Sequence, residues 1–388
     1  MPRAISSVDM IERLVAFDTT SRDSNLALID FARTYLEDHG IKSTLVFDAE
    51  RRKANLFATI GPEDRGGIML SGHSDVVPVD GQDWASNPFR LEARDDRLYG
   101  RGTSDMKSFI AVALAAVPDF IAAASRTPVH IALTYDEEVG CIGVRGLIQR
   151  LKDAPVRPAL CIIGEPTLMQ PVVSHKGKRS LRCRVHGLES HSALSHLGVN
   201  AIEFGADIVA HIRRMANRKR TEGPYDPGFT PPYTTIHTGT IAGGTALNIV
   251  PRDCRFDFEI RHLPGDDPDA MLDELRAQAK ALVPEMRALS GDTGIELDEF
   301  NAIPALSTAE DSEVVRLAQS LSGANSVGKV SFGTEGGLYQ QAGIPTVICG
   351  PGSIEQAHRP NEWIALDQVR QCEAFVHRLI DRLRRTDA

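Results

Sequence analysis

Two glutamates, Glu137 and Glu138, stand side by side just after an apolar run, residues 129–133, that reads as a buried strand. Adjacent residues at a strand end point in different directions, so one carboxylate can hold a metal while its neighbour faces a substrate. The pattern recurs along the chain. Ile68-Met69-Leu70 leads into Ser71-Gly72-His73-Ser74-Asp75, and Leu98-Tyr99 leads into Gly100-Arg101-Gly102-Thr103-Ser104-Asp105. The run over 159–163 leads into Gly164-Glu165-Pro166-Thr167, and His358 lies in a late loop, Gln356-Ala357-His358-Arg359-Pro360. Imidazoles and carboxylates without cysteine form a borderline nitrogen–oxygen donor set, suited to zinc with manganese or cobalt as substitutes. Taken singly, His-x-Asp is a surface or capping feature, a Glu-Glu pair is solvated, Gly-Glu-Pro is a turn and Asp105 caps a helix. Their recurrence at the ends of apolar strands favours a common centre.

A single catalytic zinc needs about three protein ligands. His73, Asp105, Glu138, Glu165 and His358 exceed that number, so two metals sharing a bridging carboxylate are the economical arrangement. His73 and Glu165 then complete one site and His358 and Glu138 the other, with Asp105 between them. Asp75, two residues from His73, is placed to accept a hydrogen bond from the second ring nitrogen and fix its tautomer. Glu137 is left free to take a proton from water polarised by the metals.

The elements that must position these residues are legible from periodicity. Helices read over 6–17, 24–39, 106–117 and 141–152, and strands over 41–48, 54–60, 67–71, 129–135 and 159–163. Strands alternating with helices predict an α/β layer with a mostly parallel sheet, which carries its functional residues at the strand C-termini. After Lys176-Gly177 the pattern becomes β-α-β-β-α-β, the ferredoxin-like order, and after Pro304 the α/β pattern resumes. The expected organisation is a discontinuous catalytic metal-binding domain, 1–177 and 301–388, with an inserted α+β domain, 178–300.

The 388 residues are comfortable for two domains. A net charge of −9 argues against nucleic acid or an anionic membrane as partner. The opening Met1-Pro2-Arg3-Ala4-Ile5-Ser6 lacks a signal-peptide pattern, and no run is long and apolar enough to span a bilayer. The six cysteines are scattered without a CxxC, which predicts buried free thiols and a cytoplasmic location.

Ser71-Gly72-His73-Ser74-Asp75-Val76-Val77-Pro78, Gly100-Arg101-Gly102-Thr103-Ser104-Asp105-Met106-Lys107, Asp136-Glu137-Glu138 and Gly164-Glu165-Pro166-Thr167 resemble the co-catalytic zinc amidohydrolases. That family spans deacetylases, desuccinylases, aminoacylases and carboxypeptidases, and the resemblance covers essentially the whole chain. It implies two zinc ions per subunit, one on His73, Asp105 and Glu165, the other on Asp105, Glu138 and His358. It also implies that Asp75 orients His73 and that Glu137 is the general base. The inserted domain is implied to form a homodimer and to offer a histidine to the scissile carbonyl oxygen. His191, in Ser190-His191-Ser192-Ala193, matches that motif.

Asn248 and Arg261 match family positions that face the substrate, a small N-acyl amino acid whose α-carboxylate an arginine can clamp. Gly81-Gln82-Asp83-Trp84, Phe332-Gly333-Thr334-Glu335-Gly336-Gly337 and the stretch from Cys349 to His358 are most similar to the branch that deacetylates N2-acetyl-L-ornithine. The cationic side chain of ornithine calls for an anion, and Glu335 is the candidate. A succinyl-diaminopimelate desuccinylase or a broader N-acyl amino acid amidohydrolase is the alternative. A binding protein on a dead hydrolase scaffold would have lost a ligand or the base, and none is lost. A structural metal site would leave Glu137 without a role.

Overall fold

The structure, a computed structural model, describes residues 5–124 and 126–386, so Met1-Pro2-Arg3-Ala4 of the opening segment lies outside the described residues. The chain divides into two compact units. The first takes the chain up to residue 174, residues 306–329 and the chain from 334 onward; the second takes 175–305 and 330–333.

The first unit is built on a nine-stranded sheet. Its four central strands, Val129–Thr134, Ile68–His73, Leu160–Pro166 and Thr346–Gly350, run parallel in that spatial order. On one flank Ala54–Ile60 and Ser43–Phe47 continue it antiparallel, and on the other Val172–His175 does so. Every residue of Ile68–His73, Val129–Thr134 and Leu160–Pro166 is buried. Burial on both faces is why these runs are continuously apolar rather than alternating. The helix Lys107–Ala115 is apolar nearly all round and buried along almost its whole length, as a helix inside a core must be. Ser7–Val15 instead buries one stripe, Met10, Ile11 and Leu14, and starts where Ser6 Oγ accepts the Asp9 N–H at 3.1 Å.

A second, three-stranded sheet was not foreseen. Trp363–Ala365 pairs with Arg97–Tyr99, and Arg97–Tyr99 with Glu92–Arg94. Three-residue strands are too short to show alternation. This sheet joins the chain just before Asp105 to the chain just after His358.

The second unit is a four-stranded antiparallel sheet in the order Thr235–Gly243, Asp253–His262, Gly177–His186, Gly294–Ile303. That is the ferredoxin-like order. Leu181, Cys183, Val185, Phe256, Phe258 and Ile260 on one sheet face pack with Ile208 and Ile212 of the helix Ala201–Glu222 and with Leu272 and Leu275 of the helix Pro268–Arg287. Asn200 and Asp267 cap these helices through their side chains. The unit extends beyond 178–300 for local reasons. Lys178 stands opposite Ile303 in the sheet, and Lys176 donates from Nζ to the carbonyls of Pro231 and Tyr233 at 2.8 and 2.7 Å. Ser331 Oγ donates to the Thr230 carbonyl at 2.7 Å, which brings in 330–333. All six cysteines are free and buried. Among the described residues no helix is long and apolar enough to cross a membrane.

Candidate functional site

The parallel strands end together, so their terminal polar residues converge. His73 closes its strand opposite Thr134 in register, and the chain beyond Thr134 turns through Asp136, at φ +56°, to present Glu137 and Glu138. Glu165 comes from the end of the next strand, and Asp105 from the turn before Lys107–Ala115. His73 Nε2 lies 3.0 Å from Asp105 Oδ1 and 3.7 Å from Glu165 Oε1. His358 Nε2 lies 3.3 Å from Asp105 Oδ2 and 3.0 Å from Glu138 Oε2. Asp105 thus turns one oxygen to each histidine. Donor atoms of His73, Glu137 and Glu165, and likewise of His73, Asp105 and Glu138, lie within 4.8 Å of one another.

Asp75 does more than the sequence suggested. The His73 Nδ1–H points to the backbone carbonyl of Asp75 at 2.9 Å, while the Asp75 carboxylate is 3.6 Å away. The carbonyl therefore takes the hydrogen bond and the carboxylate adds its field. That carboxylate accepts the Ser21 hydroxyl at 2.7 Å and the N–H groups of Glu137 and Glu138 at 3.2 and 3.4 Å. Asp75 so ties the histidine strand to the glutamate pair. Lys53, 2.5 Å from Asp136 Oδ1, braces the same turn.

The electrostatics of this cluster call for positive charge. Burial pushes Glu138 up to about 7, with the Asp105 carboxylate adding to the effect, and burial holds Glu137 and Glu165 well above the usual carboxylate range. Hydrogen bonds to Asp105 and Glu138 raise His358 to about 10. Burial opposes protonation of His73, yet Glu165, the hydrogen bond to Asp105 and the nearby Asp75 carboxylate outweigh it and raise its pKa well above the ordinary imidazole value. Packed, buried carboxylates of this kind require positive charge beside them. Nitrogen and oxygen donors in this number suit divalent metal ions of the zinc, cobalt and manganese group.

Three further predicted residues belong to the second unit. His191 is exposed and caps the short helical turn Ser192–Leu197, its Nδ1 accepting the Ala193 N–H at 3.1 Å. Its segment pairs with the one bearing Asn248, whose carbonyl accepts the Ser192 N–H at 3.0 Å. Arg261 is partly exposed and its Nε lies 2.8 Å from Glu259 Oε1. Glu335 is in the first unit but 1% exposed, with Oε1 unpartnered among the described residues. Burial pushes it up to about 8.

Sequence reasoning missed Arg101 and Glu362, both buried beside the Asp105 turn. Arg101 was visible inside the Gly100–Lys107 motif; Glu362 carries no pattern of its own.

Buried carboxylates and two imidazoles converging at the ends of parallel strands, with one further carboxylate beside them, define a metal-dependent hydrolase. The chain belongs to peptidase family M20/M25/M40, which it matches over residues 69–382. It is similar to the acetylornithine deacetylase of Pasteurella multocida, 34% identical over 98% of each chain, and to that of Myxococcus xanthus, 36% identical over 95% of each. Its fold is that of an M20 family metallo-carboxypeptidase from Sulfolobus solfataricus, with a TM-score of 0.77, 17% identity and coverage of 98% of this chain and 99% of the other. It is likewise similar to a dinuclear metal binding peptidase of the M20 family from Bacillus subtilis, with a TM-score of 0.65, 14% identity and coverage of 96% and 97%. The chain is a metal-dependent amidohydrolase.

Proposed function

We propose that the enzyme removes the acetyl group of N2-acetyl-L-ornithine, releasing acetate and L-ornithine in arginine biosynthesis, as a cytoplasmic homodimer holding two zinc ions per subunit. The observation that carries the reading is Asp105, which divides its oxygens between His73 and His358 with Glu165 and Glu138 alongside. The curated relatives named acetylornithine deacetylase support the substrate. His73, Asp105 and Glu165 hold one ion, and Asp105, Glu138 and His358 the other. When bound, the ions polarise the amide carbonyl and bring the pKa of water toward neutrality.

Glu137 accepts the proton of the attacking water and passes it to the leaving amine. Its burial beside other carboxylates, which raises its proton affinity, suits that exchange. Asp75 keeps Nδ1 of His73 protonated, so that Nε2 is the nitrogen facing Asp105 and Glu165. His191 donates a hydrogen bond to the carbonyl oxygen as negative charge develops. Arg261 clamps the α-carboxylate, with Asn248 as a second polar contact. The test is a substrate panel on the zinc-loaded protein: N2-acetyl-L-ornithine, succinyl-diaminopimelate and uncharged N-acetyl amino acids. Higher kcat/KM on the succinyl or the uncharged substrates would replace the proposed specificity with the alternative one.

A further inference from the structure

We propose that the buried pair Arg101–Glu362, extended by Gln82, is a positioning device that sets Asp105 and His358 relative to each other. The proposal rests on the reading of these two residues as metal ligands. Glu362 follows His358 in the same loop and is 1% exposed. Its Oε1 accepts the backbone N–H groups of Ser104 and Asp105 at 2.8 and 3.1 Å. Its Oε2 accepts the Gly102 N–H at 3.1 Å and Arg101 Nη1 at 2.7 Å. Its own carbonyl accepts the Gly100 N–H at 3.0 Å. A single residue thus takes the N–H groups of Gly100, Gly102, Ser104 and Asp105, including that of the residue the turn presents.

The other half of the device reaches the histidine. Arg101 Nη2 donates to Gln82 Oε1 at 2.7 Å, and Gln82 Nε2 donates to the carbonyl of His358 at 3.1 Å. Arg101 Nη1 also lies 3.3 Å from the Arg359 carbonyl. His358 has φ +63°, a left-handed conformation that a residue with a Cβ keeps only when its surroundings hold it. The hydrogen bond from Gln82 supplies that hold. A second tie runs in parallel: Ser104 Oγ donates to the Ser353 carbonyl at 3.0 Å and accepts the Ser353 N–H at 3.1 Å. Buried ion pairs add little net stability over an apolar pair of the same shape. What this one contributes is fixed geometry between two loops far apart in sequence.

The experiment titrates cobalt into the metal-free full chain and reads affinity by calorimetry, coordination by the visible cobalt bands, and thermal stability before metal is added. The wild type is expected to take two ions and His358→Ala one. Glu362→Gln is expected to weaken binding about 10–100-fold and to shift the cobalt bands. Gln82 is only half-buried, so Gln82→Ala keeps the fold; it is expected to weaken one ion about 10-fold with the metal-free melting point unchanged. Wild-type affinity and bands in both variants would overturn the positioning role. So would an affinity loss in Glu362→Gln that merely follows its loss of metal-free stability. Failure of the wild type to take two ions, or retention of both by His358→Ala, would overturn the ligand reading beneath it.

Discussion

At the scale of single residues, neighbours in sequence carry different tasks because their environments differ. Glu138 lies against His358, while Glu137 hangs beside the cluster with its N–H on Asp75. Glu137→Gln should keep both metals and lose about 10²–10⁴ in turnover. Glu138→Ala should lose the ion next to His358. Metal analysis alongside turnover separates the two, and equal metal contents in both variants would end this division of roles. Glu335 gives a second expectation. If its buried carboxylate is the partner of the substrate ammonium, Glu335→Gln should lower kcat/KM on N2-acetyl-L-ornithine selectively and leave uncharged N-acetyl amino acids unaffected. Unchanged activity on acetylornithine would remove Glu335 as the ammonium partner. His73, Asp105, Glu138 and Glu165 were legible as polar residues at the ends of apolar runs. Glu362 was not, because its meaning lies in N–H groups some 258 positions earlier in the chain.

At the scale of elements, close contact between strand and helix is what brings Glu165 to the cluster. A Cβ on Gly164 would fall 1.9 Å from Cγ of Phe109, so the ring of the helix Lys107–Ala115 lies directly on the strand backbone. Gly164→Ala should therefore cost roughly 1–3 kcal/mol in urea unfolding, with partial recovery in the double variant with Phe109→Leu. No recovery would mean that the clash relaxes elsewhere. His130 lies in the strand between Ala54–Ile60 and Ile68–His73, its ring stacked on Phe57 and its Nδ1 3.0 Å from Thr59 Oγ1. Burial pushes it down to about 4, while in the unfolded chain it titrates near 6.5. Between those values only the unfolded chain binds the proton. Its contribution is thus fully present above about pH 6.5 and is lost as the pH falls toward 4, by at most roughly 3 kcal/mol. His130→Phe should flatten that part of the pH–stability curve; an unchanged slope would exclude His130 as its source. The long strands and helices were legible because full burial writes itself as unbroken apolar runs. Arg97–Tyr99 and Trp363–Ala365 were not, since strands this short take their form from pairing.

At the scale of the molecule, every candidate metal ligand comes from the first unit and none from the second. Metal should therefore stabilise one unit alone, by about 2.7 kcal/mol at a free concentration a hundred times the dissociation constant. Hydrogen exchange with and without zinc should show protection gained in Ile68–His73, Val129–Thr134 and Leu160–Pro166, and none in Gly177–His186 or Asp253–His262. Equal protection in both sets would contradict a centre confined to the first unit. The order of the second sheet was legible from β-α-β-β-α-β, while its limits depended on the anchoring of Lys176 and Ser331, which leave no periodic trace. The joint between the units has one more consequence. Ser174 Oγ donates to the Leu306 carbonyl at 2.8 Å, and the Thr308 N–H to the Val173 carbonyl at 2.9 Å, so the chain leaves and returns at almost the same point. Residues 175–305 thus form one continuous insertion between two neighbouring points of the first unit. A splice of a few residues could seal the gap at little loop-closure cost. Different cassettes could occupy that joint while the strands that present His73, Glu137, Glu138 and Glu165 kept their reading frame and their fold.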